Sequence, residues 1–161
     1  MIMKNTLNSN KSLQEKYAPK GICFGCGCLN KKGLQVKSFV ESNSIAAKWT
    51  PSSHHEAFPG VLNGGIIGSL LDCHSNWAAA YYLMKNQNLN STPCTVTAEY
   101  AVKLRKPTPS DISLSILANL SKIDGNKAWI DAELSTNNQI YATCSGLFVA
   151  VGENHPAYHR W

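Results

Sequence analysis

The chain has 161 residues, 43% apolar and 16% charged, a composition that suits a globular protein and excludes a disordered chain. Fifteen basic against ten acidic residues leave a net charge of +5, and its two clusters, Lys31/Lys32/Lys37 and Lys103/Arg105/Lys106, are too short to indicate nucleic-acid binding but suit a small polyanion. No apolar run of about 18 residues is present and residues 1–10 lack a secretory core, so neither membrane nor export is expected, and the six cysteines read as free thiols in a reducing cytoplasm.

Ser12-Leu13-Gln14-Glu15 has capping-box spacing, and Leu13 and Tyr17 lie one helical turn apart before Pro19. A short helical extension is therefore expected within residues 1–19, ahead of a single domain over 20–161. Residues 20–34, rich in glycine, cysteine and lysine, read as a loop. Leu34, Val36 and Val40 would share one face of a strand at 34–41, with Gln35, Lys37 and Phe39 on the other. A turn at Glu41-Ser42-Asn43 leads to a second strand, 45–50, and residues 51–61 form a polar loop containing His54, His55 and Glu56.

Leu62, Ile66, Leu70, Cys73, Trp77, Tyr81 and Met84 recur every three or four residues, which predicts a helix over 62–84. Ile67, Leu71, Ala78 and Ala79 widen its apolar stripe, so the helix should be largely enclosed. Beyond Pro93 the period becomes two. Strands are expected at 94–105, 112–120, 128–135 and 140–151, with turns at Gly125-Asn126 and Asn137-Asn138. Four consecutive strands with short connections suggest an antiparallel meander, giving an α+β architecture of one long helix wrapped by a curved antiparallel sheet. An unprotected sheet edge makes a homodimer the expected assembly.

The chemistry concentrates in the long helix. Asp72 is a carboxylate inside an apolar segment, costly unless it is paired, exposed or used. It lies about 200° around the helix from Leu70, away from the main stripe. Gly64-Gly65 at the helix start would leave backbone N–H groups open to an anion.

Phe58-Pro59-Gly60-Val61-Leu62-Asn63-Gly64-Gly65, followed by Leu70-Leu71-Asp72, resembles the HGG…LxD signature of hotdog-fold acyl-CoA thioesterases, particularly the phenylacetate-pathway-like branch. Cys23-Phe24-Gly25-Cys26-Gly27 and Asn30-Lys31-Lys32-Gly33-Leu34 resemble a segment that precedes the first strand in some members, and the likeness covers about residues 20–151. It implies a hotdog fold, a homodimer or a tetramer built from it, and sites at the subunit interface where the glycine turn of one subunit meets the acid of the other. It also implies an acyl-CoA substrate, with no cofactor because CoA is part of that substrate. Asp72 matches the catalytic carboxylate, either as a general base on water or as the nucleophile. Gly64 and Gly65 match the glycines whose N–H polarises the thioester carbonyl. Thr97 matches a position that in some relatives holds a serine near the nucleophilic water. Asn63 stands where histidine is usual; it can hydrogen-bond but cannot titrate near neutrality. The implied function is acyl-CoA hydrolysis, with a non-catalytic acyl-CoA-binding or regulatory protein as the alternative.

Other residues carry weaker expectations. Arg105 or Lys106 would hold a CoA phosphate, with Lys103 beside them. His55 and Glu56 would line the site or position water; adjacent histidines in extended chain point apart, so no metal is expected there. Trp77 reads as core or as the wall of an acyl tunnel. Cys23-x-x-Cys26-x-Cys28 has part of a zinc or redox pattern, but a fourth ligand would have to come from His54, His55 or a C-terminal histidine. A compact loop with buried thiols is preferred, with Cys73 in the core and His74 on the surface.

Overall fold

The computed structural model describes residues 11–158. The first element follows from its cap. The Ser12 hydroxyl accepts from the Glu15 N–H at 3.2 Å, and the Glu15 carboxylate accepts from the Ser12 N–H at 2.9 Å, closing the capping box of α1 (Leu13–Tyr17). The Leu13 N–H donates to the Ser38 carbonyl at 2.8 Å, which docks this turn onto the rest of the chain. Residues 1–10 and 159–161, including the segment considered for a secretory signal, lie outside the described residues.

The long helix is α2 (Gly64–Asn86), two residues later at each end than its periodicity suggests. Asn63 sets the start: its Oδ1 accepts from the N–H groups of Gly65 and Ile66 at 2.8 and 3.2 Å, and a capped helix begins after its cap. Leu70, Leu71, Trp77, Leu83 and the small run Ala78-Ala79-Ala80 are buried, so the helix is enclosed as expected.

The sheet wraps it. Strands β1 (Phe39–Glu41), β2 (Ser44–Trp49), β5 (Thr95–Leu104), β6 (Leu114–Asp124), β7 (Lys127–Thr136) and β8 (Gln139–Ala150) pair antiparallel in the order β1-β2-β6-β7-β8-β5. Alternation fixes the inner face: Ala128, Ile130, Ala132 and Leu134 of β7 are buried beside Ala142, Cys144 and Phe148 of β8. Asn137 and Asn138 both take positive φ, 48° and 58°, the geometry of a tight β7–β8 hairpin.

Three expectations are corrected. The last four strands are not one meander: β6, β7 and β8 are, but β5 pairs with β8 and forms the far edge. Residues 34–38 are not strand. Leu34 and Val36 are buried on one face as expected, with Ser38, but Val40, expected with them, is exposed; the N–H groups of Leu34 and Val36 donate to the carbonyls of Phe24 and Gly25, and Gln35 takes φ 50°. The alternation was real; its backbone partner is a loop. Finally, residues 51–61 are not plain loop but a 3-10 turn (Ser53–His55) leading to the small hairpin β3 (Glu56–Phe58) and β4 (Val61–Leu62).

Strand β5 is a ten-residue edge with exposed Tyr100 and Leu104, at 45% and 56% exposure. A long edge carrying apolar side chains is a ready surface for another strand. Among the described residues, no helix is long and apolar enough to cross a membrane.

Candidate functional site

Asp72 sits two turns into α2, half-buried, facing the start of β5. The Thr97 hydroxyl donates to its Oδ1 at 2.7 Å. The β5–β8 register shifts between Thr97 and Glu99, a bulge beside the point where Thr97 meets the acid. Asp72 has no salt-bridge partner among the described residues. Burial pushes its carboxyl above the usual range, the Thr97 bond works against that, and negative charge at Cys23 adds to it. A carboxylate held by a neutral donor and partly stripped of water is a stronger base than an exposed one.

The helix start is a second locus. Asn63 holds the Gly65 and Ile66 N–H groups, so Gly65 has no free donor. Gly64 is the glycine whose N–H lies ahead of the cap bonds. A Cβ on Gly64 would lie 3.0 Å from Leu104 Cδ1, a tight contact with an exposed side chain of β5, so the helix start lies close to this strand. Gly64 lines a cleft of about 320 Å³ with Phe58, Leu104, Arg105, Lys106 and Thr108. Two of the three basic residues expected to meet a CoA phosphate are thus brought to the glycine turn. Lys103 lines a different, wider groove of about 540 Å³ with Arg105, Asp131 and Glu133, where two acidic side chains oppose an anion.

His55 and Glu56 flank this locus. The His55 carbonyl accepts from the Asn63 N–H at 3.0 Å, and His55 Nδ1 accepts from the Ser52 N–H at 2.9 Å. Burial, and secondarily His54, push the His55 imidazole below its usual range. Glu56 Oε1 accepts from the Gly60 N–H at 3.2 Å and from the Ser110 hydroxyl. Both residues therefore support the loop that presents the glycine turn.

Within one chain the two loci are separate. Eight residues of helix put Gly64 about 12 Å from Asp72 along the axis. Asp72 opens into its own cleft of about 150 Å³ with Gln14, Cys23, Cys26, Asn76 and Trp77. Trp77 is buried, so it is chiefly core, with one edge in this cleft.

One expectation about the neighbours of Asp72 fails and another is extended. His74 is not on the surface: it is fully buried, with Nδ1 2.9 Å from Ser38 Oγ and Nε2 2.9 Å from the Ile45 carbonyl. Cys73 packs against the core as expected, and it also meets two loop sulfurs. Its Sγ lies 3.7 Å from Cys23 Sγ, and these two and Cys26 Sγ lie within 4.8 Å of one another, whereas Cys28 takes no part. The Cys-x-x-Cys spacing signalled two of these sulfurs; the third, on a helix fifty residues away, had no signal in the spacing.

A long helix enclosed by a curved antiparallel sheet recurs in many solved proteins. A thioesterase superfamily protein from Shewanella loihica PV-4 shares it at TM-score 0.63 and 26% identity over 73% of this chain and 91% of that one. The chain has a hotdog fold and is related to the thioesterase superfamily. Lower identity shows the same hotdog arrangement: 14% for the E. coli PaaI protein of the phenylacetic acid degradation operon (TM-score 0.63, covering 74% and 81% of the two chains). A thioesterase from Haemophilus influenzae is also 14% identical (TM-score 0.63, covering 76% and 84%). No protein-family model and no curated protein matches the chain.

Proposed function

We propose that this hotdog protein hydrolyses acyl-CoA thioesters as a cytoplasmic homodimer, with Asp72 as general base. The observation that carries the reading is the Thr97–Asp72 pair: a half-buried carboxylate, bonded on Oδ1 by a neutral hydroxyl, on the helix face beside the open edge of the sheet. Oδ2 then serves the water. Asp72 takes a proton as the water oxygen bonds to the thioester carbonyl carbon. The carbonyl oxygen gains charge and is met by the Gly64 N–H, aided by the positive end of α2. Collapse breaks the C–S bond, and the proton passes to the departing thiolate, leaving free acid and CoA.

In one subunit the acid and the glycine turn lie too far apart to serve one carbonyl. Pairing of β5 with a second β5 answers this, because the exposed edge borders both loci and would bring the partner's glycine turn toward Asp72. Arg105 and Lys106, beside Gly64, are suited to the phosphates of the nucleotide. A non-catalytic acyl-CoA binder is the competing reading, and Asn63 is its support: its carbonyl oxygen is engaged by the cap, and only its NH₂ remains to face a ligand.

A screen of thiol release across acyl-CoAs, with the free acid identified, separates the two. The double variant Arg105→Ala/Lys106→Ala is expected to raise KM for a CoA ester about tenfold. KM for a short thioester without the nucleotide should not move. Binding of acyl-CoAs without any thiol release would favour the binder, and equal KM effects on both thioesters would remove the phosphate role.

A further inference from the structure

Three sulfurs converge beside Asp72 from two distant parts of the chain. Cys23 and Cys26 come from the 20–34 loop and Cys73 from α2. Tetrahedral zinc with Zn–S bonds of about 2.3 Å holds its sulfurs about 3.8 Å apart, whereas a disulfide needs about 2.05 Å. The Cys23–Cys73 separation is 3.7 Å, and all three sulfurs lie within 4.8 Å of one another. They stand at ligand spacing, not at bonding distance.

The surroundings are built for this cluster. The Gly27 N–H donates to the Cys23 carbonyl at 2.8 Å, closing a tight turn over Cys23-Phe24-Gly25-Cys26. The Trp77 indole N–H donates to Cys26 Sγ at 3.3 Å. N–H groups aimed at sulfur favour thiolate and orient it as outer partners orient metal ligands. A Cβ on Gly25 would fall 2.3 Å from Cys73 Sγ, so glycine there is what admits the third sulfur.

We infer that Cys23, Cys26 and Cys73 form a three-thiolate site for zinc, with the fourth coordination position turned toward the cleft that Asp72 lines. Sulfur-only donors select a thiophilic ion. Binding releases the thiol protons to solvent and ties the 20–34 loop to the central helix. Among the described residues, no histidine, carboxylate or further cysteine joins the group, which leaves one position for an exogenous ligand such as water. The inference is independent of the hydrolysis reading, since it concerns ion binding alone.

The test uses full-length protein, purified under reducing conditions and stripped of metal, titrated with Co²⁺ and with Zn²⁺. One equivalent of Co²⁺ should give a thiolate-to-cobalt charge-transfer band of three-sulfur intensity, displaced by Zn²⁺, and zinc should raise the melting temperature. Cys23→Ser, Cys26→Ser and Cys73→Ser should each weaken zinc at least 100-fold. Cys28→Ser, Cys94→Ser and Cys144→Ser should not. Gly25→Ala, which keeps every ligand, should weaken zinc by displacing the Cys73 sulfur. Absence of a stoichiometric cobalt band in the folded, reduced wild type would overturn the site. So would zinc affinity unchanged in Cys73→Ser.

Discussion

Asp72→Asn is expected to lower kcat for acyl-CoA hydrolysis by about 10³-fold, within the range that a positioned general base contributes. The substitution is nearly isosteric, and the Thr97 hydroxyl can still donate to the side-chain oxygen, so the 2.7 Å contact survives. The change removes proton acceptance and little else. Because Asp72 is partly buried with no cationic partner among the described residues, a neutral amide costs the fold nothing and slightly favours it. KM should change much less than kcat, as expected when an interaction acts in the transition state. Thr97→Val, which frees Oδ1 but leaves the base, should cost about tenfold. Parallel denaturation curves and zinc contents establish that each variant is folded and metal-loaded to the same degree. A kcat for Asp72→Asn within a few-fold of wild type would remove Asp72 from the chemistry.

The second large effect falls on stability. His74 is fully buried, and both ring nitrogens are engaged. The Ile45 carbonyl can only accept, so Nε2 carries the proton and Nδ1 accepts from the Ser38 hydroxyl. Ser38 Oγ in turn accepts from Gln14 Nε2 at 3.0 Å, and the Ser38 N–H donates to Gln14 Oε1 at 2.8 Å. The network joins α1, the 34–38 segment, β2 and α2, and the neutral imidazole completes it. Burial pushes the imidazole down to about 4, only partly opposed by the Ile45 bond.

The sign follows directly. The unfolded chain binds the proton from about pH 6.5 downward, and the folded chain only near pH 4. The stability is therefore complete above pH 6.5 and is lost as the pH falls toward 4, by about 3 kcal/mol in all. His74→Leu leaves the Ser38 hydroxyl proton without an acceptor, with only the Gln14 amide still bonded to its oxygen, removes the imidazole from the Ile45 carbonyl, and should cost about 3 kcal/mol at pH 7.5. It should also abolish that share of the acid sensitivity. Denaturant midpoints from pH 7.5 to 4.5, with EDTA present so that zinc does not contribute, check both effects. Equal pH slopes for wild type and His74→Leu would contradict the network's role.

Much of the fold was legible because it rests on local periodicity. The stripe from Leu62 to Met84 marked α2, and Ala128, Ile130, Ala132 and Leu134 marked the inner face of β7. Asn137-Asn138 marked a hairpin because asparagine tolerates positive φ. What could not be read was partnership. Leu34 and Val36 alternate like a strand, yet their backbone bonds reach the Phe24–Gly25 loop. Strand β5 looked like the first of a meander, but the order of pairing is decided by packing around α2. At the site, Asp72 and Thr97 were each identified through family resemblance, and their contact emerged from tertiary structure. His74 was misplaced, and the sulfur neighbours of Cys73 were missed, for the same reason: a helical wheel shows which way a residue faces, not which loop or helix covers that face. Gln14 and Ser38 cover one, and Cys23 and Cys26 the other.

A single-turnover reaction in ¹⁸O water, with enzyme in excess over an acyl-CoA that the screen identifies, tests the proposed role of Asp72 most directly. With Asp72 as base, the water oxygen bonds straight to the acyl carbon. One ¹⁸O is expected in the free acid of the first turnover, free CoA in equal amount, and no label in the peptide containing Asp72. Unlabelled acid with ¹⁸O in the Asp72 carboxylate, or acyl-CoA recovered intact, would contradict it.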